Sequence, residues 1–434
     1  MECDAIVLGA GMAGLAAAAE LTHAGLSIAL VEARGRIGGR VATLHDSRTP
    51  VPVELGAELV HEGADATRTL VHDAALALHE LAGDWFVARG GVLRKETNEK
   101  VDTRIERTVK AIARAGRTHD VSFADALAAA RVPAADAALA RSFVEGFHAA
   151  DLRRIGVRGL VRGGDGGPGK ALRVNVGYSA LADALAAQVS SSLVLGTRVV
   201  RIAWRRGEAR VTVEGPTGFS RELRARAVVV ALPLGVVRES IDLFEPAIGA
   251  TQRALEGLAI GHVAKMTLRF RDAFWSELRH GEYARAAFFL DPTQQVPTFW
   301  TSRPFDAPVI VAWAGGPKAK ELLAAGELRA VEAALDSFAR LLRVDRRLPH
   351  DRLETYFTHD WSHDPLARGA YSYPAVGGEL AGPRSAKPID GTLFFAGEHT
   401  AEPPDNGTVH GAIESGRRAA HELLTRYGIR RAVA

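Results

Sequence analysis

Ile6-Val-Leu-Gly-Ala-Gly-Met-Ala-Gly-Leu15 sets the fold, together with Val31-Glu-Ala-Arg34 and Gly35-Arg-Ile-Gly-Gly-Arg40 that follow it. An apolar strand ends at Gly9, a tight turn follows, and Ala16 to Leu21 continues as helix, so backbone N–H groups at a helix N-terminus face a pyrophosphate. Gly9 permits the turn, Gly11 lets a diphosphate approach the backbone, and Gly14 lets the helix pack closely on the sheet. Glu32 closes a second strand, Ser27 to Val31, at the distance expected of an acceptor for an adenosine ribose hydroxyl, with Ala33 and Arg34 beside it. A GxGxxG run alone carries little weight, but here strand, glycines, Ala-rich helix, second strand and acid come in order. The reading is dinucleotide binding. In Gly35 to Arg40, two arginines stand among glycines, Gly39 included, where a further phosphate contact can form. Arg36 and Arg40 are the candidates for it.

The chain has 434 residues, 47% hydrophobic and 24% charged, which is an ordinary globular composition with room for two domains. Its net charge is only +3 and its basic residues are dispersed, which argues against a nucleic-acid partner. A single cysteine, Cys3, allows neither an internal disulfide nor a cysteine metal site, and no metal is expected. This usage fits a reducing compartment, the cytoplasm. The first strand begins too early for a signal peptide, and runs such as Ala13 to Ala19 and Ala227 to Pro233 fall short of the roughly 20 residues a membrane span needs. Oligomeric state leaves no mark on the sequence.

Further along, Val53-Glu-Leu-Gly-Ala-Glu-Leu-Val-His-Glu-Gly63 reads as a strand running into a Gly-bounded loop. Ala64 to Ala150 reads as a mainly helical insertion, with Ser122 to Arg131 amphipathic, and Gly163 to Gly169 as the loop that ends it. Segments at Ser192 to Trp204, Arg210 to Glu214 and Ala225 to Leu232 read as strands rejoining the first sheet. Mixed structure follows, with strands at Val263 to Phe270, Ala286 to Leu290, Val309 to Ala314 and Leu353 to Thr358, and a helix at Leu328 to Leu342. The expected fold class is α/β: a Rossmann-like dinucleotide-binding domain from 1–63, 170–240 and 383–434. A discontinuous α+β substrate domain comes from 64–169 and 241–382.

The C-terminal run Leu393-Phe-Phe-Ala-Gly-Glu-His-Thr400, then Asn406-Gly-Thr-Val-His-Gly-Ala-Ile-Glu-Ser-Gly416, is a strand ending at Gly397-Glu398 and a helix starting near Val409. The helix N-terminus offers free N–H groups to the electron-rich O2/N1 edge of an isoalloxazine ring. With Gly56-Ala57, His262-Val-Ala-Lys265 and Gly369-Ala-Tyr-Ser-Tyr373, these motifs resemble the flavin amine oxidase family of monoamine oxidases, polyamine oxidases and flavin histone lysine demethylases. The motifs run in the family's order from Ile6 to Gly416.

The resemblance implies FAD, a two-domain fold of the glutathione reductase-2 type, and oxidation of a C–N bond of a small-molecule amine by hydride transfer to flavin N5. O2 then reoxidises the flavin to give hydrogen peroxide. It assigns Gly56, Ala57, Val200, Gly397, Glu398, Thr408 and Val409 to the cofactor side. Lys265, in an otherwise apolar strand, matches the lysine that holds a water next to N5, where a buried ammonium needs a partner. Tyr371 matches one wall of an aromatic cage whose other wall is Thr408 here, the histone demethylase arrangement. His61 matches a histidine near the substrate of several polyamine oxidases. Glu62, Glu402 and Asp405 are candidates for a second ammonium, and Trp300 and Trp313 for pocket wall or core. The C-terminal flavin segment lacks the cysteine through which monoamine oxidases attach FAD, so non-covalent FAD is expected. The expected function is a polyamine oxidase-like enzyme. The alternatives are an L-amino acid oxidase, for which Arg368 would clamp the carboxylate, and a C–C desaturase of the protoporphyrinogen and carotenoid groups.

Overall fold

The computed structural model describes residues 2–114, 119–162, 169–403 and 405–429. Its opening unit is β1 (Glu2–Leu8), α1 (Met12–His23) and β2 (Ile28–Val31). β1 pairs in parallel with β2 on one side and with the strand Ser220–Val230 on the other. A strand in that central position is covered on both faces, which is why Ala5 to Leu8 is continuously apolar and at most 1% exposed.

The remaining strands of this eight-stranded sheet come from far along the chain. Leu193–Val194 extends β2 in parallel, Leu393–Phe395 pairs in parallel with the end of Ser220–Val230, and Arg198–Arg205, Glu208–Glu214 and Ser220–Val230 form an antiparallel run. The expected single strand from Ser192 to Trp204 is thus two strands, broken at Gly196, whose φ of +62° suits glycine. The helix Val409–Arg426 lies against α1. Gly416 makes this possible, since a Cβ there would stand 2.1 Å from Ala13 O.

The second sheet has seven strands in the order Leu353–Thr358, Val263–Phe270, Val309–Gly315, Thr298–Thr301, Ala286–Leu290, Asp84–Arg89, Val92–Glu96. Its last two strands correct the reading of Ala64 to Ala150 as mainly helical. Asp84–Arg89 and Val92–Glu96 form a hairpin turning on Gly90 and Gly91, with φ of +60° and +74°. Trp85 and Val87 pack into one core cluster while Phe86 packs into another, a period of two that belongs to a strand. Around this hairpin the segment is helical as read, at Asp65–Asp73, Asn98–Ala113, Phe123–Ala129 and Ala134–Phe147. Ser122 Oγ caps the third of these by accepting from Asp125 N at 3.1 Å. The loop read at Gly163 to Gly169 lies outside the described residues except for Gly169. Among the described residues no helix is long and apolar enough to cross a membrane, and no group of acids, histidines and cysteines is arranged to hold a metal.

A Cβ on Gly14 would meet Gly9 O at 1.8 Å, so α1 can start this close to the strand only with glycine there. Gly14→Ala is expected to destabilise the protein by about 1–3 kcal/mol through forced separation of helix and strand. A thermal melt within a degree of the parent's would contradict this packing.

Candidate active site

A chamber of about 1020 Å³ runs between the two sheets, at the top of the roughly 300–1,000 Å³ range of small-molecule sites. One end is the β1–α1 turn. Gly9, Gly11, Glu32, Ala33 and Arg34 line it, and an added Cβ on Gly11 would meet nothing within 4 Å. Bare backbone at a helix N-terminus therefore faces open space, a cradle for a pyrophosphate. Gly14 is absent from the wall because its place is against Gly9.

Glu32 is oriented by the turn it completes. Its two carboxylate oxygens accept from Ala10 N and Arg34 N, each at 2.8 Å, which leaves a lone pair on each for a ribose hydroxyl. Thr197 N donates to Glu32 O at 2.8 Å, bringing the following Val200 to the same wall. The Gly35 to Arg40 loop folds over the turn, with Gly38 N donating to Ala10 O at 2.8 Å.

Arg36 has a different job from the phosphate contact expected of it. Its guanidinium donates to Ile37 O at 2.9 Å and Gly39 O at 2.8 Å, so it braces the loop. Arg34 pairs with Asp364 at 2.7 Å. Arg40 lines the chamber and donates to Ala370 O at 2.6 Å and Glu398 Oε1 at 2.9 Å.

The opposite shoulder of the chamber is held by Glu398. Its Oε2 accepts from Ser372 Oγ at 2.6 Å and Gly407 N at 3.2 Å. Burial alone would raise this carboxyl, but the charge of Arg40 and the Ser372 hydrogen bond hold it below its usual value. Thr408 is the N-cap of Val409–Arg426. Its hydroxyl accepts from Gly411 N at 3.0 Å and donates to Asp405 O. That hydroxyl is committed to the helix, and Thr408 and Val409 present a helix N-terminus to the chamber with Gly397 nearby.

Gly56 and Ala57 line the same middle section. Gly56 sits so close to Arg40 that a Cβ would lie 1.8 Å from Arg40 O. Lys265 reaches across from the second sheet to donate to Gly56 O at 3.0 Å. Its Nζ also lies 2.6 Å from Glu58 Oε2, an ion pair rather than a well-aligned hydrogen bond, with the two side chains 4% and 6% exposed. Glu58 Oε1 accepts from Arg173 and, at 2.9 Å, from Trp300 Nε1. Burial would raise Glu58, but Arg173 and Lys265 bring it down to about 2. Neither Glu58 nor Arg173 stood out in the sequence. The available signal was an acid inside Gly56-Ala-Glu-Leu, two residues past a tight glycine.

The substrate end is aromatic. Tyr371 donates to Phe147 O at 2.8 Å, and burial, with Glu398 adding to it, pushes its phenol well above the usual value, so it is a neutral wall. His61 meets Phe147 edge-on at 5.3 Å, and Phe147 stacks on Phe143 at 5.1 Å. Trp300 and Trp313 both line the chamber, 5.7 Å apart, and Trp313 Nε1 is fixed on Gly146 O at 3.0 Å. Glu62 is exposed and lies on the wall, Asp405 faces His410 at 3.1 Å, and Glu402 is exposed and outside the chamber. Arg368 pairs with Glu239.

A bare-backbone cradle at a helix N-terminus opens here into an aromatic chamber with a buried lysine, an arrangement suited to redox chemistry through a bound cofactor. The family model described as flavin containing amine oxidoreductase matches residues 12–424, and the chain belongs to that family. It is 29% identical to polyamine oxidase 4 of Oryza sativa subsp. japonica, covering 97% of this chain and 88% of that protein. It is 30% identical to polyamine oxidase 2 of Arabidopsis thaliana, covering 98% and 89%. The structure of a putrescine oxidase bound to putrescine superposes with a TM-score of 0.82 at 22% identity, over 98% of this chain and 99% of that one. The chain is thus a flavin-dependent amine oxidoreductase with the mixed α/β fold of that group. The open space at Gly11 and the capped helix at Thr408 fit the two ends of a flavin dinucleotide.

Because a Cβ on Gly11 touches no protein atom, Gly11→Ala is expected to leave the circular dichroism and folding yield unchanged. Its flavin affinity is expected to fall about tenfold, roughly 1.4 kcal/mol. Equal flavin content per chain in parent and variant under limiting flavin would show that the diphosphate lies elsewhere.

Proposed function

We propose that the chain is an amine oxidase of the polyamine oxidase type that holds FAD non-covalently and uses O2 as its acceptor. The observation that carries this is Lys265, buried in the chamber wall between the dinucleotide cradle and the aromatic end. When bound, FAD would supply the acceptor for a hydride from the amine α-carbon and the route by which the electrons reach oxygen. The segments 1–63, 170–240 and 383–434 form the FAD-binding half, and 64–169 with 241–382 the substrate half. Gly9, Gly11 and Glu32 would hold the pyrophosphate and ribose, and Gly56, Ala57, Val200, Gly397 and Val409 the ring. Non-covalent attachment is supported by the absence of a cysteine for a thioether link: the only one in the sequence is Cys3, at the start of β1 and away from the chamber wall. With so little cysteine, we place the protein in the cytoplasm.

The aromatic end shapes what binds. Tyr371, Trp300 and Trp313 offer flat apolar faces to the carbon chain of an amine, and His61 a ring edge beside them. Glu62, exposed on the wall, is the carboxylate that would meet a distal ammonium of a polyamine. Near Lys265 the charge is two cations against Glu58, so the reacting nitrogen must arrive without its proton. An amino acid oxidase would need an arginine for the substrate carboxylate. Among the described residues the chamber arginines Arg34, Arg40, Arg198 and Arg368 are each paired with an acid.

Mixing the yellow protein anaerobically with spermine, spermidine, putrescine, aromatic monoamines and L-amino acids tests the reading, with flavin bleaching by an amine the expected result. Bleaching by none of them, in protein that dithionite reduces, would overturn it. Bleaching is expected to quicken with pH up to the amine's own pKa of about 10, tenfold per unit in the limiting case, because only the neutral amine yields hydride. A flat profile would mean that the ammonium form reacts. Lys265→Met is expected to slow reoxidation by oxygen at least about tenfold while changing anaerobic bleaching less. The reverse pattern would place the lysine at the substrate.

A further inference from the structure

Only eight of the chain's 54 basic residues are lysine, and one of them is Lys265 on a buried strand. A buried ammonium needs an anion and acceptors around it. Both are supplied here by one loop, Gly56 O at 3.0 Å and Glu58 Oε2 at 2.6 Å. Glu58 is itself fixed from behind by Arg173 and Trp300 Nε1, and Arg173 is anchored on Thr301 O at 2.8 Å.

The other acid that acts on Lys265 is Glu54, which burial pushes up to about 7. Glu54 is committed to Tyr178 N at 2.7 Å and Thr43 Oγ1 at 2.8 Å. Among the described residues only Glu58 sets a carboxylate against Nζ.

We propose that Glu58 is the positioning residue of this centre: it fixes Lys265 Nζ beside Gly56 and holds it as an ammonium, so that the lysine serves the oxygen step as a placed positive charge. The inference rests on the amine oxidase reading above. Oxygen gains two electrons and two protons in becoming peroxide. The electrons and one proton are those of the hydride from the α-carbon, and the second proton is the one the iminium sheds on becoming free imine. Lys265 therefore loses no proton in the cycle, and a fixed cation is what the developing negative charge on oxygen requires.

Glu58→Gln keeps an oxygen for Trp300 and removes the charge, after which burial favours the neutral amine at Lys265. In holoenzyme labelled with [13Cε]lysine, the Lys265 resonance can be assigned by its loss in Lys265→Met. In Glu58→Gln it is expected to reach the neutral-amine position at a pH about one unit or more lower than in the parent. Reoxidation by oxygen is expected to stay within about twofold of the parent at pH 6 and to fall about tenfold at pH 9. An unmoved lysine titration, or an equal loss of rate at every pH, overturns the proposal. Glu58→Asp, one methylene shorter, is expected to move the titration in the same direction by less; a titration identical to the parent's also overturns it, even if Glu58→Gln does not fold. If no amine reduces the parent protein, the oxidase reading falls, and the lysine titration still decides the role of Glu58.

Discussion

Burying a charge is the costliest thing this fold does, and the Lys265–Glu58–Arg173 cluster is where it does so. An isolated ammonium in a protein interior loses far more hydration than packing returns, so the second sheet can carry Lys265 only if the loop after Val53–Glu54 delivers a carboxylate to it. That requirement fixes the loop against the strand. It also sets Gly56 against Arg40, whose guanidinium in turn holds Glu398 and, through it, Ser372 and Gly407. The chamber wall thus holds two ion-paired clusters, Lys265–Glu58–Arg173 and Arg40–Glu398, set against each other where Gly56 meets the Arg40 backbone. The parts facing substrate, Tyr371, Trp300 and Trp313, are left to aromatic surface.

The dinucleotide end was legible because backbone geometry dictates it. Gly9 and Gly14 are required by a turn at positive φ and by a helix–strand contact that a Cβ would break, and Gly11 leaves bare backbone open to a ligand. Glu32 was legible for the same reason, since its place at the end of β2 is set by strand length. The chamber's charge network was not legible, because Glu58 meets Arg173 115 positions away and Lys265 from a distant strand, and Arg40 meets Glu398 358 positions away. Spacing along a chain says nothing about such encounters.

Two misreadings have local causes. The hairpin at Asp84 to Glu96 sits inside an Ala- and Leu-rich region, and the regional composition outweighed a clear Gly90-Gly91 turn. Arg36 was read by charge alone. A guanidinium carries five donors, and Arg36 turns three of them to carbonyl groups of Ile37, Gly39 and Val41 beside it in the chain.

The packing of Val409–Arg426 on α1 through Gly416 joins two helices that lie far apart in the sequence. During synthesis the cradle for the dinucleotide emerges early, yet its supporting helix and the Glu398 shoulder emerge only after some 400 residues. At roughly 5–20 residues per second, that interval is about 20–80 s. Through it the apolar flank of α1 lacks its partner. Cofactor capture is therefore tied to synthesis of the segment from Glu398 to Arg426: a chain that stops short of it carries Gly9 and Gly11 at the β1–α1 turn and no closed site to hold a ligand.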